Sequence, residues 1–224
     1  MSQDSTQKTS VMQDPGADLV DKVQGIAAQY GQVLLIGALV LAAAGIGGWY
    51  WMQGQAKQEN AASEKLAQAN ELFWRADYDR SRTIAQEVIK AYPGTASGID
   101  ALRIAGDDAF WRGNWKDAIK DYEGYLAKKS SGVVASGVRR SLGYAFESDK
   151  QFEAAAKQFD QLIGVFDRES SGELLFASAR CLAAAGKNDE AKKRLQRILD
   201  EFPESTVQGQ ARIELGRLSP QILN

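Results

Sequence analysis

Asp117 and Asp121 are the two residues of this sequence whose type and spacing come closest to those of a catalytic or metal-binding site. Carboxylates one helical turn apart can share a proton or a metal ion, whereas the adjacent pair Asp107 and Asp108 point in different directions on a helix. On an amphipathic helix the same spacing usually marks a solvated face. We therefore expect Asp117 and Asp121 to lie in solvent and to hold no metal.

The residues needed for most catalytic sites are absent from this sequence. None of its 224 residues is histidine, which removes His-based triads, the commonest general base and the commonest metal ligand. Cys181 is the single cysteine, so it cannot form an intrachain disulfide, and we expect a buried structural thiol. The sequence therefore predicts no enzyme, no cofactor and no small-molecule substrate.

The balance of charged residues also limits the classes of molecule that the protein can bind. There are 27 Lys and Arg residues against 29 Asp and Glu residues, giving a net charge of −2. A chain without basic excess is a poor ligand for nucleic acid, because phosphate binding depends on clustered cations. We expect other proteins as partners, and no nucleic acid.

Residues 33–52 form a stretch of twenty residues without a charge. As a helix it would reach about 30 Å, the thickness of the hydrocarbon core of a bilayer. Aromatic residues typical of the membrane interface lie near both ends, with Tyr30 just before the stretch and Trp49, Tyr50 and Trp51 at its far end. The sequence predicts a single transmembrane helix, with membrane lipid as its surroundings.

Two alternatives compete with a permanent anchor. A cleaved signal peptide would have a basic leader, but the residues before 33 hold two lysines against four aspartates. A buried core helix is less compatible with the length and the Trp-Tyr-Trp cluster. Small residues in the stretch have the spacing that lets a second helix approach closely, namely Ala38, Ala42, Ala43, Ala44, Gly47 and Gly48.

The polar segments around this stretch complete the N-terminal organisation. Residues 1–16 are predicted to be a disordered polar tail, and 17–32 an amphipathic helix leading into the membrane. Residues 53–65 keep helix-forming composition without proline, so we expect a helical linker into a domain spanning 66–224.

The remainder of the chain repeats with a period of 36 to 37 residues. Small residues recur at Ser81, Ala118, Ala155 and Ala191, and twelve residues before each lies another, at Ala69, Gly106, Gly143 and Ala179. Two antiparallel helices approach to about 8 Å only where neither carries a bulky side chain. The pattern predicts four helical hairpins, at about 66–94, 100–132, 137–170 and 172–203, and a terminal helix at 205–218. Pro93-Gly94, Ser130 to Gly132, Ser170 to Gly172 and Pro203 are predicted as the breaks.

The segment from Gly106 to Leu126 resembles the tetratricopeptide repeat. Gly106, Ala118 and Tyr122 occupy its small, small and aromatic signature positions, and the segment from Leu142 to Leu162 matches about as well. The resemblance covers about 66–203, with a longer period than the usual one of about 34 residues. It implies an all-α fold, an α-solenoid following the single transmembrane helix.

In that family the first helix of each hairpin lines a concave face that binds extended peptides or partner helices. Carried over residue by residue, the resemblance implies a groove that includes aromatic and arginine side chains, types common in binding hot spots. Its members are Asn70, Trp74, Arg103, Asp107, Trp111, Arg140, Tyr144, Glu147, Phe176 and Arg180.

One apolar helix followed by such repeats is similar to the ancillary single-span subunits of the bacterial protein-export translocon. That resemblance implies a membrane-anchored module in the inner membrane that recruits client proteins or chaperones, with its repeats in the periplasm. Lys22 on one side of the apolar stretch, and Lys57 and Lys65 on the other, hardly specify the orientation. The alternative is a structural accessory subunit of a large respiratory or photosynthetic complex, its span packed among other helices.

Overall fold

The computed structural model describes residues 15–219, apart from the side chains of residues 15–18, 21, 22, 26, 27 and 34, and the range 15–219 is used below in this sense. The described residues contain nine helices and no strand. Residues 1–14 of the predicted polar tail at 1–16, and the last five residues, lie outside this range. The all-α expectation is confirmed. The helices are α1 (Pro15–Trp74), α2 (Tyr78–Ala91), α3 (Ala96–Trp111), α4 (Trp115–Lys128), α5 (Val133–Ser148), α6 (Phe152–Asp160), α7 (Arg168–Ala184), α8 (Asn188–Glu201) and α9 (Gln208–Leu218).

Helix α1 is long and apolar enough over part of its length to cross a membrane. It begins at Pro15, two residues before the predicted start, because proline is well tolerated at a first helical position. The aromatic residues expected at the membrane interface are exposed, and the rings of Trp49 and Tyr50 meet edge to face at 5.1 Å. The small residues predicted to pack against another helix are exposed too. The division of α1 into a lead-in helix, a span and a linker stays a prediction.

The chain separates into two units at Gln55 and Ala56. In the unit that begins at Ala56, the end of α1 shares a buried cluster with α2. The pairs α3–α4, α5–α6 and α7–α8 follow, with α9 packed on α8. Packing starts earlier than residue 66, because Ala62 is fully buried and the Glu59 carboxylate accepts hydrogen bonds from the amide and hydroxyl of Ser97.

The four hairpins share one turn. Its second residue has a left-handed backbone each time, with φ of 60° at Ala76, 75° at Gly113, 62° at Lys150 and 77° at Gly186. These residues are spaced by 37, 37 and 36 positions. The period read from residue types therefore reflects a repeated backbone geometry.

Close contact inside each hairpin depends on the small residues. A Cβ added at Gly106 would lie 2.6 Å from the Tyr122 ring, and one at Gly143 would lie 2.7 Å from the Phe159 ring. Real Cβ atoms do not approach so closely, so a side chain at either glycine would displace the ring that covers it. The sequence pattern paired these glycines with the small residues Ala118 and Ala155; the aromatic ring that closes on each glycine, from four residues further along the second helix, was not predicted.

The predicted break at Ser170 to Gly172 is wrong. Those residues lie inside α7, and the chain instead leaves α6 after Asp160, which makes α6 nine residues long against fourteen for α2, α4 and α8. Asp167 caps α7 by accepting a hydrogen bond from the Ser170 amide at 2.7 Å. Gly172 serves close packing, since a Cβ there would lie 2.6 Å from the Ser205 hydroxyl oxygen.

Candidate protein-binding face

The ten predicted groove residues all lie on the first helices of the hairpins. Asn70 and Trp74 are on α1, three are on α3, three on α5, and Phe176 and Arg180 on α7. None of the ten is fully buried. We call the surface that they form the first-helix face.

Two tryptophans are the most exposed members of this face. Trp74 is 82% exposed and Trp111 is 63% exposed, at equivalent positions 37 residues apart. The Tyr78 ring stacks on Trp111 with centroids 6.4 Å apart and also contacts Phe73, whose ring meets Trp74. These rings form a continuous aromatic strip across the first two hairpins, with both indoles accessible.

Three charged residues of α3, Asp100, Arg103 and Asp107, are paired with one another. Arg103 donates to Asp107 at 3.1 Å and to Asp100 at 3.0 Å. The Tyr122 hydroxyl donates to the second oxygen of Asp107 at 2.7 Å. Burial raises the pKa of Asp107, although the hydrogen bonds from Tyr122 and Arg103 oppose that rise. Asp107 is therefore held by two donors before any partner arrives.

A second ion pair joins two hairpins. Arg180 on α7 donates through Nε and Nη2 to the two Glu147 oxygens on α5, at 2.7 and 2.8 Å. The bidentate geometry raises the pKa of Arg180 through its hydrogen bonds to Glu147. Tyr144 lies beside this pair with its ring against Phe159. Arg140, in contrast, makes no side-chain hydrogen bond or ion pair to residues 15–219.

A cleft of about 340 Å³ ends the first-helix face, between α7, α8 and α9. Phe176 and Arg180 line it together with Glu214, Arg217 and Leu218. The sequence analysis missed the α9 residues, because it treated the last helix only as a terminal element. The spacing of 110 residues between Asp107 and Arg217 could have revealed them, since it equals three repeat periods.

Asp121 corrects the expectation of a solvated face, whereas the Asp117 side chain is 56% exposed, as expected. Both carboxylates face Arg82 from the preceding hairpin, at 3.3 and 2.8 Å, and the Asp121 side chain is only 13% exposed. Arg82 also donates to the Ala105 carbonyl. The pair therefore joins two hairpins, a role that depends on contacts between helices and not on local spacing.

Cys181 agrees with its prediction. Its side chain is fully buried, and burial raises the pKa of the thiol to about 12. A thiol with this pKa stays protonated at neutral pH and is a poor nucleophile.

A model of the tetratricopeptide repeat-like domain matches residues 27–164, more than half of the chain. The chain belongs to this tetratricopeptide repeat-like family. A tetratricopeptide repeat model also matches residues 146–213, so the two matches together extend from the apolar stretch into α9. No curated protein matches the chain.

Solved structures share the fold at low identity. Nearly identical TPR-like repeats from Podosopora anserina are 15% identical with a TM-score of 0.57, covering 71% of this chain and 86% of that one. A tetratricopeptide repeat protein from Parabacteroides merdae is 12% identical with a TM-score of 0.60, covering 71% and 60%. YrrB, described as a TPR protein with an unusual peptide-binding site, is 18% identical with a TM-score of 0.55, covering 69% and 74%. Tetratricopeptide repeats are generally scaffolds for protein–protein interaction and not enzymes.

Proposed function

We propose that this tetratricopeptide repeat-like protein is a membrane-anchored scaffold that binds segments of other proteins on its first-helix face. The observation that carries the proposal is the recurrence of an exposed indole at Trp74 and Trp111. Large apolar side chains cost free energy when left in water, and tryptophan is enriched in binding hot spots. Two indoles at repeated positions present adjoining contacts to an extended segment or a helix.

The charged residues of the first-helix face would select among partners more than they would strengthen binding. Arg103 and Arg180 are already paired with carboxylates, so an acidic partner would have to displace Asp107 or Glu147. Arg140 has no such competitor among residues 15–219. We infer that a partner contacts the two indoles with apolar side chains and places a carboxylate at Arg140.

The apolar part of α1 is proposed to span the inner membrane once, with the repeats in the periplasm. Such an anchor raises the effective concentration of the first-helix face beside a membrane complex, for which the protein-export translocon is our leading candidate. The peptide-binding site named for YrrB agrees with a binding role for this fold. Protease treatment of sealed inner-membrane vesicles tests the orientation: in inverted vesicles the repeats should be protected until detergent is added. Digestion without detergent would reverse the assignment.

Site-specific photocrosslinking tests the binding role. A benzophenone amino acid is introduced at position 74 or 111 of the full chain in its native membrane, and at Val133 as a control. Val133 is 84% exposed but begins α5, away from the aromatic strip. We expect discrete adducts at 74 and 111 and at most weak, diffuse adducts at 133. Equal adducts at all three positions, or none, would contradict the proposal.

A native gel of the gently solubilised protein separates this function from the accessory-subunit alternative. A recruiting module should lose its partners when Trp74 and Trp111 are both replaced by alanine. A stoichiometric complex that survives both replacements would instead favour a subunit held by its apolar helix.

A further inference from the structure

Helix α9 is built as the first helix of a fifth hairpin. It follows α3 at a spacing of 110 residues, the sum of three periods, which aligns Ala211 with Ala101 and Gly216 with Gly106. Ala211 and Ala101 are both fully buried against the preceding hairpin. Glu169 aligns with Glu59 at the same spacing, and each carboxylate accepts hydrogen bonds near the start of the next first helix. Glu59 accepts from the Ser97 hydroxyl and Glu169 from the Ser205 and Thr206 hydroxyls, although Ser97 itself aligns with Val207. The correspondence therefore extends from residue types to contacts.

The other face of α9 is uncovered within residues 15–219. In α3 the Tyr122 ring of α4 closes on Gly106, but no atom lies within 4 Å of a Cβ built at Gly216 or at Gly209. Arg212 lies between these glycines, is exposed, and makes no ion pair to residues 15–219. Every preceding first helix has a second helix at this place.

We propose that this free face of α9, formed by Gly209, Arg212 and Gly216, docks an amphipathic helix of another protein. The incoming helix takes the place of the second helix of a fifth hairpin. This surface lies on the side of α9 that faces away from α8, and the inference does not rest on the proposed function of the first-helix face.

The third hairpin shows what chemistry the incoming helix needs. Arg139 and Gly143 on α5 stand 73 residues, two periods, before Arg212 and Gly216. The Phe159 ring covers Gly143, and Arg139 donates to the side-chain oxygens of Gln161 at 2.7 Å and Gln158 at 3.4 Å. Because aromatic rings cover both Gly106 and Gly143, the docking helix carries an aromatic side chain against Gly216. It places Gln or Glu one residue before and two residues after that side chain, facing Arg212.

A second copy of α9 does not meet this requirement. The helix has no aromatic residue. In an antiparallel pair of α9 helices, Gly209 of each copy can face Gly216 of the other. The centre of that pair lies between residues 212 and 213, so the two Arg212 side chains come close together. Like charges at such a contact are unfavourable. Charge therefore favours a partner that brings an acceptor.

A peptide of this chain's own α6 region provides the probe. A fluorescent peptide of residues 150–166 carries the Gln158-Phe159-Asp160-Gln161 segment and is titrated with the full chain in detergent micelles, with fluorescence anisotropy as the measurement. We expect saturable binding that is at least tenfold weaker for Gly216→Leu. The matched control Gly137→Leu, at a helical glycine with nothing within 4 Å, should leave binding unchanged.

Reversing the charge at Arg212 tests whether this residue contacts the peptide. Arg212→Glu should weaken binding at least fivefold, and a peptide with Gln161→Lys should recover binding to that variant. Circular dichroism checks that each variant is folded. Trp74→Ala should bind the peptide normally, which separates this inference from the function of the first-helix face.

Three outcomes would overturn the proposal. The first is the absence of saturable binding, and the second is an equal loss for Gly216→Leu and Gly137→Leu. The third is self-association of the chain, seen by sedimentation, that Gly216→Leu abolishes, because it would assign the face to a second copy.

Discussion

Asp108 should make the stability of the repeat unit depend on pH. Its side chain is fully buried on α3, where one carboxyl oxygen accepts a hydrogen bond from the Ser81 hydroxyl at 2.8 Å. The other oxygen has no hydrogen-bond partner among residues 15–219. Burial raises the pKa of Asp108 from 3.8 to about 7 and the Asp107 carboxylate adds to the rise, whereas Ser81, Arg82 and Arg112 oppose it.

The sign of the effect follows from proton binding in the two states. Between about pH 4 and pH 7 the folded chain holds a proton at Asp108 that the unfolded chain has released, so stability falls as pH rises through this window. Above pH 7 both states are ionised and the contribution is constant. Since each pH unit is worth about 1.4 kcal/mol, the full loss amounts to about 4 kcal/mol.

Asp108→Asn removes the titration while keeping an acceptor for the Ser81 hydroxyl. We expect the variant to be more stable than the original protein at pH 8. The difference in unfolding free energy should shrink, and can reverse, as the pH falls to 4.5. Urea unfolding followed by circular dichroism at several pH values measures this difference for the full chain in detergent.

Asp200→Asn is the control, because Asp200 is an exposed carboxylate that, among the residues the structure describes, accepts a side-chain hydrogen bond only from Gln196 on its own helix. The control should keep the pH dependence of the original protein. If Asp108→Asn and Asp200→Asn gave the same pH profile, burial of Asp108 would not be its cause.

Three further substitutions test the packing, with urea unfolding as the measurement in each case. Ala76→Gly should stabilise the protein by about 0.5–1 kcal/mol because φ is 60° there, while Gly113→Ala in the equivalent turn should destabilise it by about 1 kcal/mol. Arg82→Met should cost about 3 kcal/mol, since it leaves a buried carboxylate without its cation; no loss would show that the ion pair is dispensable. Gly143→Ala should cost about 1–3 kcal/mol through overpacking, whereas Gly137→Ala, in open space, should gain up to about 1 kcal/mol; equal effects would contradict the assigned contact.

Two of the four hairpin turns could be predicted from local sequence, because glycine occupies their left-handed position. Gly113 and Gly186 supply left-handed backbone directly, and the same position in the other two hairpins is Ala76 or Lys150. The small residues at helix crossings were also predictable, since steric exclusion acts at a fixed repeat position. Family resemblance placed the ten groove residues on the first helices, but whether they bind a partner stays a prediction.

The buried polar contacts could not be predicted because they join residues that are distant in sequence. Arg82 is an ordinary arginine on a polar stretch, and Asp121 comes near it only because α2 and α4 both pack on α3. Asp108 is equally inconspicuous until Ser81 is placed beside it. The early end of α6 was missed because serine and glycine at 170–172 are typical of breaks, although close helix packing selects small residues for the same sequence positions.

A residue type can recur in a solenoid because the packing needs it or because a partner contacts it, and the exposure of the side chain distinguishes the two. Gly106 and Gly143 recur because each must admit an aromatic ring, so their repetition is explained by the fold. Trp74 and Trp111 recur with the same spacing, but each leaves most of its indole in solvent. Packing within the unit that begins at Ala56 does not require tryptophan at such positions, because the equivalent residue of the third hairpin is Ser148. A large apolar residue that recurs without being buried is better explained by contact with another molecule, and this is why we place the binding function at the first two hairpins.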